Sequence, residues 1–438
     1  MPFVVLQDFF WFLILIGVMI LIHEFGHYWA ARFFDVKVET FSFGFGPRLF
    51  GFKKGETDFR FAALLFGGYV KMAGEQPGDE SASDPRSFLQ KPRWQRMIIA
   101  FAGPAMNVLL AVAILTGLFM VRFPKIPTTP APVVGYVLPD SPAAKAGIQE
   151  GDRIVQIENS VDPTWEDIAM KEAASAGHPL SVWITRNGER KLVTVTPALD
   201  PKTGTGFAGW GEESEIEIAS ELPGKPAAEA GLKAGDVIVS ANGQPVRSTP
   251  KLREIVTSTA GKPVTLVYSR NGQKHTVEVT PTMSNGEGAD RWMIGVLLQP
   301  KLVFVKLPLP QALVESVRQN AKSTTFIYGF LRGVVERRMS PKSAAGPIGI
   351  AQMSGEAARE GPAAYLGLAS MLSLNLAIVN LLPVPILDGG VILMLLIEIF
   401  MRRDLSLRVK EAALKLGFVF LMAVVAFAIY NDISKLAG

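Results

Sequence analysis

The chain has 438 residues, of which 49% are hydrophobic, a formal net charge of +4, four histidines and no cysteine. That length allows roughly two or three domains. So weak a charge argues against nucleic acid as a partner, and the lack of cysteine excludes disulfides and thiolate metal sites. Apolar residues gather near the N-terminus, around residue 110 and in the last 80 residues, while the middle reads as soluble protein.

The first apolar stretch runs from Phe9 through Ile22 and past His23, Glu24 and His27 to about Phe34. A helix spans a bilayer with ~20 apolar residues. The stretch has no lysine or arginine before Arg32 and no clear small-residue cleavage site, so it reads as a membrane helix rather than a secretory signal. Within it, His23-Glu24-Phe25-Gly26-His27 is an HExxH pattern. Positions i and i+4 share a helix face, so both imidazoles reach one metal ion, and Glu24 aims at a water on that ion. The alternative is two histidines satisfied in a core. Three ionisable groups in an apolar helix need a compensating partner, however, and a divalent cation supplies it.

The connection from Arg32 to Arg96 carries Lys37, Arg48, Lys53, Lys54, Arg60, Lys71, Arg86, Lys91 and Arg93, which makes it cytoplasmic. Inside it, Phe41 to Pro47 alternates aromatic with small residues, including Gly44 and Gly46, and offers either an edge strand or an aromatic anchor at the interface. The second apolar stretch, Met97 to Val121, is uncharged and contains Gly103-Pro-Ala-Met-Asn107. Asn107 serves there either a helix–helix hydrogen bond or a substrate.

The middle is duplicated. Pro142 to Val155 and Pro226 to Val239 agree at nine of 14 positions at an offset of 84, and the Arg-Asn-Gly…Val-Thr-Pro blocks at 186–197 and 270–281 keep that offset. Each copy ends in a tight hairpin signal, with Asn187-Gly188 and its counterpart at the turns. Pro-Ala-Ala, Ala-Gly and Gly-Asp-x-Ile resemble PDZ domains of the bacterial protease type. The resemblance implies a groove that takes an extended peptide or a peptide tail by strand addition, with Gly135, Tyr136 and Val137 as groove residues of the first copy. A pair of closed spacer domains is the alternative.

Asn320 to Arg338 reads as an amphipathic helix on the outer membrane surface. The third apolar stretch, Ala363 to Leu387, ends at Asp388 in Asn380-Leu-Leu-Pro383-Val-Pro385-Ile-Leu-Asp388-Gly-Gly. A carboxylate at that depth is expensive unpaired. Asp388 is therefore the better candidate for a third ligand, since His178 and His275 lie in the repeats; a helix cap at the membrane edge is the alternative. The fourth stretch is roughly Ala412 to Tyr430, preceded by Arg402, Arg403, Arg408 and Lys410 on the cytoplasmic side. The N-terminus, the repeats and the C-terminus then face outward, although Arg337, Arg338 and Lys342 run against the rule.

HExxH on a first membrane helix, Gly-Pro-Ala-Met-Asn on the second and Asn-x-x-Pro-x-Pro-x-Leu-Asp-Gly-Gly on a later one resemble the site-2 protease family over nearly the whole chain. The resemblance implies one zinc per chain held by His23, His27 and Asp388, with Glu24 as catalytic base. It implies a polytopic α-helical protein of the bacterial inner membrane, with about four transmembrane helices, a membrane-entering β-hairpin and an inserted PDZ pair. The expected divisions are 1–126 and 346–438 for the two membrane halves, 127–209 and 210–300 for the PDZ copies, and 301–345 for the amphipathic linker. Substrates would be single-pass membrane proteins already trimmed by another protease, anti-sigma factors first and remnant signal peptides second. Asn380, Pro383, Pro385, Gly44 and Gly46 would contact them. Two other readings are a non-enzymatic PDZ receptor for exposed peptide tails, which leaves both membrane motifs unexplained, and a metal transporter, which has no use for Glu24.

Overall fold

A computed structural model describes residues 2–75, 80–121, 123–125, 132–200, 204–222, 224–284, 291–301, 303–336, 339–343 and 345–437. In chain order the elements used below are helix α1 (Pro2–Phe33), strands β1 (Val38–Lys54) and β2 (Thr57–Met72), helix α2 (Arg93–Met120), strand β3 (Val134–Val137), helix α3 (Trp165–Ala173), strands β4 (Trp210–Glu212) and β5 (Ile216–Glu221), helix α4 (Thr249–Ser258) and strand β6 (Val296–Pro300). Five helices follow: α5 (Leu309–Val335), α6 (Pro347–Glu360), α7 (Pro362–Asn380), α8 (Asp388–Met401) and α9 (Leu407–Ala437). Among the described residues four helices are long and apolar enough to cross a membrane: Val4–Phe33, Arg93–Met120, Pro362–Asn380 and Leu407–Ser434. Large side chains such as Trp29, Leu416 and Phe10 stand exposed on them, as expected of surfaces solvated by lipid.

The chain divides into two compact units, one of Met1–Phe123, Lys306–Tyr328 and Ala344–Gly438, the other of Pro124–Val305 and Gly329–Ser343. In the first unit α2 packs on α1 and α7, and α6 lies along α1. A core of Ala31, Val36, Val38, Phe41, Val70, Met72, Phe88 and Ile99 fixes the hairpin to α1 and α2. A second core joins Leu15 and Met19 of α1 to Leu368 of α7. The start of α5 is tied to the end of α2, where the Thr116 and Ser316 hydroxyls lie 2.8 Å apart and Leu307 N donates to Phe119 O. That helix begins at Leu309, 11 residues before the expected Asn320. Arg337 and Arg338 lie outside the described residues.

The third apolar stretch does not continue to Leu387. Helix α7 stops at Asn380, and Asp388 opens α8 instead of closing the stretch. Pro383 and Pro385 cause this: each lacks an N–H and forces its predecessor out of the helical region. The chain crosses between the helices in short turns, Val384 N to Leu382 O and Leu387 N to Val384 O. A Cβ on Gly389 would meet Leu381 O at 2.2 Å, and one on Gly390 would meet Val384 O at 2.2 Å, so the glycine pair lets α8 start hard against that turn.

The first part of strand β1 is not an edge. Thr40 to Phe43 register with Asp58 to Phe61 on one side and with Gly68 to Lys71 on the other, as the long β2 bends around them. A part of β2 with no second strand beside it is Gly68–Met72, where Met72 N donates to Glu75 Oε2, and the expectation that Phe41 to Pro47 supplies an edge strand fails over Phe41–Phe43, which is paired on both sides.

In the second unit each repeat copy has its own core, one around Ile154, Ile157, Val182 and Ile184, the other around Ile238, Leu252, Leu266 and Ile218. Both hairpin turns use left-handed backbone at Asn187-Gly188 and Asn271-Gly272, as the Asn-Gly signal demands. The conserved offset has a physical basis. Arg186 grips the buried Asp152 with two nitrogens at 2.7 Å, and Arg270 grips the buried Asp236 identically, each pair 34 residues apart. Strand β4 pairs with β3, and Trp210 lies in the first copy's core. The division expected at 209/210 therefore falls after Glu212, while the one expected at 126/127 lies outside the described residues.

Candidate metal centre

Helix α1 presents His23 and His27 on one face, 7% and 9% exposed. Asp388, at the first position of α8, turns its two oxygens to them: Oδ2 lies 3.2 Å from His23 Nε2 and Oδ1 lies 3.4 Å from His27 Nε2. The two Nε2 atoms are 3.2 Å apart, and one donor atom from each of the three residues lies within 4.8 Å of the others. These residues are up to 365 positions apart in sequence (388 minus 23), so only the packing of α1 against α2 and of α8 against α2 assembles them.

The surroundings suit a metal. His27 Nδ1 lies 2.8 Å from Ile99 O, a bond that places the ring proton on Nδ1 and leaves the Nε2 lone pair free for a cation. Asn107, wholly buried, holds its side-chain amide 3.3 Å from His23 Nδ1, while its Oδ1 is buried without a partner among the described residues. Turning that amide over puts Oδ1 against an Nδ1 proton, which satisfies both groups and frees His23 Nε2 in the same way. A Cβ on Gly103 would stand 2.2 Å from His27 Nε2 and 2.9 Å from His23 Cε1. One on Gly26 would stand 2.3 Å from Ala102 O. Both glycines thus permit the close helix crossing that brings α2 under the imidazoles. The donor set of two imidazoles and one carboxylate is that of a zinc site with an open position.

A cavity of about 620 Å³ opens on the centre. It is bordered by His23, Glu24, His27, Asn380, Pro385 and Asp388, and along one side by Gly68 to Met72 of β2. Glu24 reaches the backbone N–H of Val70 on that strand, and a Cβ on Gly68 would meet Glu24 Cγ at 3.1 Å.

The model of peptidase family M50 matches residues 11–424. The chain belongs to this family, the site-2 proteases. It is 30% identical to the regulator of sigma-E protease RseP of Salmonella typhimurium over 450 residues, 97% of this chain and 98% of that protein. It is 31% identical to the protease RseP of Yersinia pestis over 453 residues, 97% and 98% of the two chains. A protein of Neisseria meningitidis that carries the name of a candidate zinc metalloprotease is 31% identical over 447 residues, 98% of this chain and 99% of its own. A site-2 protease is a zinc metallopeptidase of the membrane, and the four apolar helices of this chain accord with that.

Against this family background the sequence-derived residues sort by position. His23, Glu24, His27 and Asp388 come together. Asn380, the last residue of α7, also arrives, its amide 3.4 Å from His23 Nε2. Pro385 borders the cavity; Pro383, Gly44 and Gly46 do not. Asn107 faces His23 with no exposed surface, which is the geometry of a residue that orients a ligand and not of one that touches substrate. In the repeats, Gly135, Tyr136 and Val137 form a strand flanked by β4 on one side and, at its start, by Gly151 to Arg153 on the other. The strand with an unpaired side there is β4. Sequence reasoning missed Gly103, Gly26, the Gly68–Met72 edge and Ile99 as the acceptor for His27. Only Gly103 had a signal, its place in the Gly-Pro-Ala-Met-Asn motif.

Proposed function

We propose that this site-2 protease cuts single-pass membrane proteins within or at the edge of the bilayer, with one zinc per chain held by His23, His27 and Asp388 and with Glu24 as the general base. The observation that carries the reading is the convergence of three donor atoms from α1 and α8, with the His27 ring turned by Ile99 O to offer Nε2. A bound zinc supplies Lewis acidity there, acidifying a water to a pKa of ~7 and polarising a carbonyl.

The chain's own groups do the rest. Glu24 takes the proton of the attacking water and delivers it to the leaving amine. A substrate helix satisfies its own carbonyls, so it must unwind before attack, and its freed N–H and C=O groups then need partners. The edge at Gly68–Met72 supplies them by strand addition, and the Asn380 amide holds the unwound backbone beside the ligands. Asn107 and Ile99 act one layer out, fixing the two ring orientations.

The basic connections at 32–96 and 402–410 put the metal end of α1 and the start of α8 on the cytoplasmic side of an inner membrane, with the hairpin entering the bilayer from that side. Four helices span, and the N-terminus, the C-terminus and the tandem PDZ copies face outward, where the copies restrict entry to substrates already shortened by another protease. Anti-sigma factors fit that description first and remnant signal peptides second. The test is cleavage of a purified single-pass substrate in detergent by wild type, by Glu24→Gln and by chelator-treated protein. Only untreated wild type is expected to cut. Equal cutting by Glu24→Gln would overturn the assignment.

A further inference from the structure

The two repeat copies share hydrogen bonds residue for residue, which makes a single difference between them informative. In the first, Ala143 N donates to Ala208 O and Leu138 N to Gly209 O; in the second, Ala227 N donates to Ile294 O and Leu222 N to Gly295 O. Gly209 (φ +83°) and Gly295 (φ +81°) are both left-handed. The loops 208–210 and 294–296 are therefore counterparts, each turning into a strand, β4 or β6. Helices α3 and α4 correspond as well, through N-caps at Thr164 and Ser248, 84 residues apart.

A loop that turns backbone N–H groups into a concavity beside a strand and a helix can bind anions and capture peptide carboxylates, and this one offers the Ala208 N–H together with the Trp210 indole N–H. In the first copy it already holds one. Glu172, on α3, accepts from Ala208 N with Oε1 and from the Trp210 indole at 2.7 Å with Oε2. Among the described residues no lysine or arginine pairs with Glu172, so loop and indole N–H groups alone hold it. Burial holds its carboxyl above the ordinary range, and the two N–H donors offset that only in part. At the matching position of α4, 84 residues on, stands Val256, apolar and packed in the second copy's core.

We propose that the Ala208–Trp210 loop is a binding site for the free C-terminal carboxylate of a peptide, and that Glu172 occupies it in cis and keeps it masked. This rests on reading the copies as peptide-binding domains. A free C-terminus has the same charge and acceptor geometry as the Glu172 side chain and must displace it to enter. The first groove then accepts no free C-terminus while Glu172 is in place.

The test uses the full-length protein in detergent and a decapeptide ending in Val-Ala, with a photo-crosslinker near its end, as free acid and as C-terminal amide. Wild type is expected to show no acid-dependent labelling of residues 206–212. Glu172→Val, which carries the second copy's residue, and Glu172→Gln, which keeps size and shape, are expected to gain it, with about tenfold preference for acid over amide in the valine variant. Thermal unfolding of each variant establishes that it is folded. Wild-type labelling at 206–212 as strong as in the variants overturns the masking. So does labelling confined to residues 292–300 in every protein, which leaves the peptide-binding reading intact. No labelling of either copy in any protein overturns that broader reading together with this one.

Discussion

Helix α8 carries a carboxylate towards each end, Glu398 buried and Asp388 half-buried, and the two are compensated in different ways. Glu398, with no exposed surface, lies 2.7 Å from Lys410 Nζ and within 4 Å of the Arg93 and Arg96 guanidinium groups, and it accepts from Leu405 N. Asp388, 10 residues earlier, pairs among the described residues only with two imidazoles, groups that are neutral when they serve as ligands. Fixed cations make Glu398 a finished structural element. Among the described residues Asp388 has no fixed cation beside it, and in the proposed reading a metal supplies the balancing charge. Burial of an acid is thus no guide to role; the identity of its neighbours is.

Four substitutions sharpen that contrast. Glu24→Gln should lower kcat by at least about 1,000-fold while zinc content stays near wild type, because it removes proton transfer and leaves the ligands. Glu398→Ala should do the reverse. It strands Arg96 and Lys410 without their carboxylate and costs about 3–5 kcal/mol of stability by denaturant unfolding, while the protein that remains folded keeps its zinc. Asn107→Ala should weaken zinc affinity about 10–100-fold in competition with a chelator, with kcat of the fully loaded enzyme affected less, as expected of a residue that orients His23. The smallest effect belongs to the repeats. Asp236→Asn should cost about 1–3 kcal/mol at neutral pH. Burial raises the Asp236 carboxyl, but Arg270 and the Lys233 N–H outweigh it and hold it below the ordinary range. Its contribution is therefore present above the usual aspartate pKa of ~4 and disappears as pH falls through the lower, folded value, so wild type and variant should converge in acid.

How much of this was legible in the sequence depends on the range of the interaction that decides it. The pairing of His23 with His27 is set by one turn of helix and could be read directly. Asp388 could be singled out from its cost in an apolar setting, but not placed at the start of a helix, because two prolines cut the stretch and a glycine pair restarts it against its own turn. Phe41 to Pro47 reads as an edge strand or an aromatic anchor because alternation marks a strand without saying what flanks it; register is nonlocal, and β2 wraps both sides of Phe41–Phe43. Asn107 was ambiguous for the same reason, since its partner His23 is 84 residues away. Glu172 gave no signal at all, because what distinguishes it from an ordinary helix glutamate is a loop 36 residues downstream.

The most direct test of the account is the zinc content of purified full-length protein, measured by elemental analysis for wild type and for Asp388→Ala. About one zinc per chain in wild type and less than about a tenth of that in the variant, with the fold intact, is the predicted result. Zinc retained in full by a folded, cleavage-competent Asp388→Ala protein would contradict it, for the third ligand would then have to come from elsewhere.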